Sequence, residues 1–167
     1  MRRSSFIYIV LALIMQSALV YGQNGSPVEY QNGEKWRDEA GAEVTTLHFT
    51  LGENDWPNAD PFRMIVIGDS IAWGCGLYTK EKYHYLVADW LQKTLKRPVE
   101  VTVLAHTGAT ITKPTNIDPS KHTFLDPELG SWDPTLLEQA DHIPNPEKVD
   151  LILVSGGIND LGLDRIL

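Results

Sequence analysis

Three strand-like runs constrain the fold of this chain more than any other feature: "FRMIVI" (62–67), "VEVTVLA" (99–105) and "VDLILVS" (149–155). The first and third are nearly continuous in apolar residues, the pattern of strands covered on both faces of a parallel sheet. Between the first two, "TKEKYHYLVADWLQKTLKR" places Tyr83, Leu86, Val87, Trp90, Leu91 and Leu95 at helical spacing. That spacing predicts an amphipathic helix, with Thr79 as its N-cap and Pro98 as its stop. An insertion, 110–148, separates the second and third strands, and Asp133-Pro134 predicts the start of a helix through about Ala140, broken by Pro144 and Pro146. Strand, helix, strand, long crossover, strand implies an α/β fold with a parallel sheet and right-handed connections.

Each run ends in a small or polar loop. Gly68-Asp69-Ser70 follows the first, "HTGAT" the second and "GGIND" the third. In parallel α/β sheets functional groups collect beyond the carboxyl ends of the strands, so these loops are expected on one rim. A serine there is a nucleophile only when a base takes its proton and donors await the oxyanion. The N–H of Ser70, the N–H of Gly108 and the side-chain amide of Asn159 are the candidate donors, Gly108 because it lacks a Cβ. The plainer reading of Gly-Asp-Ser is an ordinary tight turn.

Gly68-Asp69-Ser70, Gly108 and Gly157-Ile158-Asn159-Asp160, in that order after successive strands, resemble the first three blocks of the SGNH (GDSL-type) hydrolase superfamily over roughly residues 62–163. The resemblance implies a flavodoxin-like three-layer α/β/α sandwich and ester hydrolysis through an acyl-serine. Ser70 would be the nucleophile, and Ser70, Gly108 and Asn159 would line the oxyanion hole. The family's last block, Asp-x-x-His, does not occur among the 167 residues. His106 is the one histidine expected near the rim, and it reads as a loop-shaping residue. His48, His84, His122 and His142 read as surface or helix-face residues. The chain is therefore expected to be nearly inactive alone, since losing the triad histidine costs on the order of 10⁶ in turnover in subtilisin. About three of five strands are expected. The third strand would then be an exposed apolar edge, and the chain the N-terminal portion of a longer enzyme.

Ahead of this domain (62–167) lie two other segments. Residues 1–22 combine Arg2-Arg3 with the apolar run "FIYIVLALIM" and small Val20 and Gly22, the layout of a secretory signal peptide cleaved near Gly22–Gln23. The run is short for a membrane span of roughly 20 apolar residues. Residues 23–61 read as an N-terminal extension packed on the domain, with one strand in "VTTLHFTL" and a turn at Asn-Asp-Trp-Pro-Asn. The net charge is −8, and no basic run follows residue 22, which argues against a nucleic-acid partner. Cys75 is the single cysteine, so no internal disulfide forms, and it reads as a small buried filler. No metal-ligand spacing occurs and no cofactor is expected. Asp69 and Asp160 are expected to tie down their own turns. Trp73 and Trp132 suit either an acyl or sugar pocket or core and lid packing.

The leading expectation is a secreted serine esterase acting on a small ester, an acylated sugar or a lipid. A non-catalytic carbohydrate- or ligand-binding relative is the alternative. A flavin-binding flavodoxin-like domain ranks last, because "GDSIAWGCG" is poor in the Ser and Thr that cradle a phosphate.

Overall fold

The computed structural model describes residues 9–11, 31–37, 43–115 and 132–161. The predicted cleavage bond and His122 lie outside them. Six strands, β1 (Ile9–Leu11), β2 (Gln31–Arg37), β3 (Glu43–Leu51), β4 (Phe62–Gly68), β5 (Val99–Val103) and β6 (Leu151–Ser155), form one sheet in the order β1-β6-β4-β5-β3-β2. The strands β5, β4 and β6 are parallel, and in chain order they stand 2-1-3, as the flavodoxin-like expectation requires. The hairpin β2–β3 joins antiparallel to β5, so the sheet is mixed. The third apolar run was expected to be an open edge; instead Ile9–Leu11 pairs with Ile152–Val154 of β6.

β4 is the middle of the molecule because its side chains serve two cores. Met64 and Val66 point to one face and join Val99, Val101, Val103, Leu153 and Ala88. Ile65 and Ile67 point to the other and join Leu104, with Ala140, Ile143 and Val154 around them. The period of two in a strand makes this division automatic. Two short helices, α1 (Ser70–Trp73) and α4 (Ile158–Leu161), stand at strand ends, while α2 (Tyr83–Leu95) and α3 (Leu136–Asp141) cover opposite faces.

The helix α2 turns a different side to the sheet from the one its apolar spacing suggests. Its buried residues are His84, Ala88, Leu91 and Gln92, whereas Leu86 and Trp90 are 52% and 63% exposed. Positions 84, 88, 91 and 92 form the i, i+4, i+7, i+8 stripe, and small Ala88 lets the helix approach β4 and β5 closely. Thr79 opens a 3-10 turn (Thr79–Glu81) rather than capping α2, whose N-cap position is Lys82. The chain leaves α2 through Lys96 in the left-handed conformation, ahead of Pro98. Similarly α3 begins after Thr135, not Asp133, because Thr135 and Glu138 cap each other: Glu138 N–H donates to Thr135 Oγ1, and Thr135 N–H to Glu138 Oε2.

His84 is thus a core residue, correcting the helix-face expectation. Its Nδ1–H donates to the Ala72 carbonyl (3.0 Å). Burial lowers its pKa from 6.5 to about 4, nearby Lys82 adds to the fall, and the Ala72 bond opposes it. Between pH 6.5 and 4 the unfolded chain takes up a proton that the folded one refuses, so stability falls as the pH falls through that window. The loss expected by pH 4 is about 3 kcal/mol at 1.36 kcal/mol per pK unit. Urea titrations of wild type and His84→Gln across pH 7 to 4 check it. The variant should lose this component of the slope, and an unchanged slope would contradict the assignment.

Candidate active site

The three loops meet at the carboxyl ends of β4, β5 and β6, and backbone bonds stitch them together. Beyond Val103 the chain still follows β4: Leu104 N–H donates to Val66 O, and His106 N–H to Gly68 O, both at 2.9 Å. Asp69 N–H donates to Ser155 O (3.1 Å), linking the first loop to the end of β6. Asn159 Nδ2 donates to Ala109 O (2.9 Å), and the Asp160 carboxylate accepts Ile111 N–H (3.0 Å), linking the second loop to the third. Asp160 therefore anchors its neighbour rather than its own turn, which is a correction. Asp69 does what was expected, accepting Ile71 N–H at 3.0 Å as the N-cap of α1, and it also accepts Ser155 Oγ at 3.3 Å.

Ser70 is the first residue of α1, half-buried, directly after the fully buried Asp69. Its carbonyl accepts Gly74 N–H (2.9 Å) and Cys75 N–H (3.0 Å), which fixes its backbone. At a helix start the N–H has no intrahelical partner, and neither Ser70 N–H nor Gly108 N–H meets an acceptor among the described residues. Gly108 has φ +87°, open to glycine and strained for other residues. Asn159 uses one amide hydrogen on Ala109 and keeps the other, and the first bond sets the plane of the carboxamide.

Behind the nucleophile loop stands a residue the sequence did not flag. Gln139 of α3 is fully buried, and its amide pairs with both backbone groups of Gly68: Gly68 N–H donates to Oε1 (2.7 Å) and Nε2 donates to Gly68 O (3.1 Å). Nε2 also donates to Pro134 O (2.9 Å). A side-chain amide reproduces one rung of a β-ladder at the last residue before Asp69 and Ser70. A glutamine on a short amphipathic helix gives no sequence signal for this.

His106 is 1% exposed, and its Nδ1–H donates to the Thr107 carbonyl at 3.0 Å. These bonds suit the loop-shaping reading. Tyr83 lies near Asp69, and burial together with that carboxylate pushes its phenol above the ordinary value. Trp73 is buried under the Lys82 ammonium, 3.7 Å from its ring centroid, while Trp132 is half-buried with Lys113 5.6 Å away. Cys75, expected to be buried, is exposed, because it sits on the turn between Gly74 and Gly76 that leaves α1.

The profile of the GDSL-like lipase/acylhydrolase family matches residues 66–166, a span holding all three loops. The chain belongs to this family. The family's chemistry is the hydrolysis of acyl esters, and in this GDSL-like chain Gly68-Asp69-Ser70 stands at the end of β4. Searches of curated proteins and of solved structures gave no match. Among the described residues no group of His, Cys, Asp and Glu is arranged to hold a metal ion, and no helix is long and apolar enough to cross a membrane.

Proposed function

We propose that this chain supplies the nucleophile and oxyanion donors of a secreted serine ester hydrolase. Ser70 Oγ attacks the ester carbonyl, and its proton passes to a base as the acyl-serine forms and the alcohol leaves. Ser70 N–H, Gly108 N–H and Asn159 Nδ2 receive the charge on the carbonyl oxygen. The observation that carries this reading is the stitched rim, where two N–H groups lack acceptors among the described residues beside a half-committed carboxamide. Ile71, Ile111, Leu137 and Leu161, on or beside these loops, are each 42–62% exposed, and they offer an apolar seat for an acyl group. An acylated sugar or a lipid is the substrate class we favour.

The base in this family's reaction is the histidine of Asp-x-x-His, which these 167 residues lack. Turnover by the chain alone is therefore expected to stay near background. Export is supported by Arg2-Arg3 and the apolar run after it. Cleavage near Gly22–Gln23 would remove β1 and leave β6 as the sheet edge.

Reaction with a fluorophosphonate, with imidazole added as an external base in place of the histidine these residues lack, and mapped by mass spectrometry, tests the site, because the phosphonyl oxygen occupies the oxyanion position without need of turnover. The adduct is expected on Ser70 and absent from Ser70→Ala. It should form about 100-fold more slowly on Asn159→Ala, the usual scale for one oxyanion donor. An adduct elsewhere, with Ser70→Ala unaffected, would refute the assignment. Absence of any adduct would favour the second reading, a non-catalytic carbohydrate- or ligand-binding relative, which the missing Asp-x-x-His motivates.

A further inference from the structure

A cavity of about 420 Å³ opens on the α3 face of the sheet, far from Ser70. Its floor is the start of β4 with Glu100 and Thr102, the polar positions of β5 that turn away from the α2 core. Arg63 on this floor is roughly 17 Å along β4 from Gly68, at ~3.3 Å per residue. One wall is the β2–β3 hairpin, with Lys35, Trp36 and His48; the other is the segment after α3, with His142 and Lys148.

The lining side chains carry three cations, Lys35, Arg63 and Lys148, against one carboxylate, Glu100, in a chain of net charge −8. Glu100 is already shared, by Arg63 Nε (3.3 Å) and His48 Nε2 (3.7 Å), and Lys35 pairs with Glu43. The Trp36 indole stacks on the His142 ring, centroids 3.8 Å apart and 17° from parallel. Its Nε1–H is buried and meets no acceptor among the described residues. Such a donor lacks the hydrogen bond that buried polar groups ordinarily make. The cations come from separate parts of the chain, which is why no basic run is visible in the sequence.

We propose that this cavity binds a small organic molecule bearing a compact oxyanion, a carboxylate or a phosphate, at a site separate from the ester-cleaving rim. The oxyanion is held by Arg63 and Lys148, and charge-assisted bonds of this kind are the strong ones. The remainder of the molecule meets Thr46, Thr102 and the Trp36–His142 stack.

The full chain, ¹⁵N-labelled, is titrated at constant ionic strength with inorganic phosphate, with glucuronate and with neutral glucose. The Trp36 indole resonance is identified by its loss in Trp36→Phe. A saturable shift of that resonance is expected with phosphate or glucuronate and not with glucose. The arm that responds more strongly identifies the head group. Arg63→Gln combined with Lys148→Gln should weaken binding at least tenfold, about the loss of one charge-assisted hydrogen bond. Should that pair unfold the chain by leaving Glu100 without Arg63, Lys148→Gln alone, on an exposed turn, is expected to weaken binding several-fold. No saturable shift with either anion, an equal response to glucose, or binding indifferent to Lys148→Gln would overturn the proposal.

Discussion

Gly68→Ala is expected to cost the chain most of its stability. Gly68 has φ +142°, and a Cβ there would overlap the Ser155 carbonyl oxygen on β6 and stand 2.7 Å from Ala72 Cβ. Neither neighbour can retreat. Ser155 O is the acceptor of Asp69 N–H, and Ala72 is buried in α1 against the core. Separating β4 from β6 would break the rim that holds Ser70. A loss of about 4 kcal/mol or more is the scale of such clashes, most of the stability of a domain at the lower end of the ordinary range. Gly76→Ala is the control: φ is +75° there, yet nothing lies within 4 Å of the added atom. It should lose only about 1–2 kcal/mol, the cost of the left-handed conformation. Chemical denaturation of both variants decides the matter, and equal midpoints would show that Gly68 is not pressed against β6.

The second large effect is expected at Gln139. Gln139→Ala leaves Gly68 N–H and the Pro134 carbonyl buried without the partners described here, and takes one of two donors from Gly68 O. At about 1–3 kcal/mol for each unsatisfied buried group, a total near 3–5 kcal/mol follows. Gln139→Glu separates polarity from shape. Its carboxylate still accepts from Gly68 N–H, but when ionised it faces two carbonyl oxygens with no proton to offer. The folded state therefore raises the pKa of this glutamate above its unfolded value, and the variant recovers stability as the pH falls through that raised value. Wild type moves the other way in the same range because of His84. Denaturation midpoints for Gln139→Glu and wild type from pH 7 to 5 should converge; a constant gap would argue against the clamp.

The strands were legible because β4 is buried on both faces and β6 packs against both cores, which leaves an uninterrupted apolar run. The loops were legible because glycines and a serine at strand ends have few structural uses. The buried face of α2 was not. Its apolar residues outnumber the places available against the sheet, and backbone approach selected Ala88 and a solvated-looking His84 over Leu86 and Trp90. The start of α3 was misread for a local reason, since the reciprocal bonds of Thr135 and Glu138 outweigh the aptitude of Asp133-Pro134. Gln139 and the cations Lys35, Arg63 and Lys148 act only through contacts between segments far apart in sequence, which no local pattern records. The candidate rim was thus visible as three separate loops, and the bonds that unite them were not.

The strand order also bears on how the molecule is made. The central strand β4 receives neither parallel neighbour from what precedes it: β5 comes later, and the bonds from Arg63 N–H to Asp150 and from Ser155 Oγ to Asp69 span 87 and 86 residues. At about 5–20 residues per second, a ribosome leaves that flank of β4 unmatched for on the order of ten seconds. During that interval the uncovered apolar flank of β4 is the part of the sheet most in need of a chaperone.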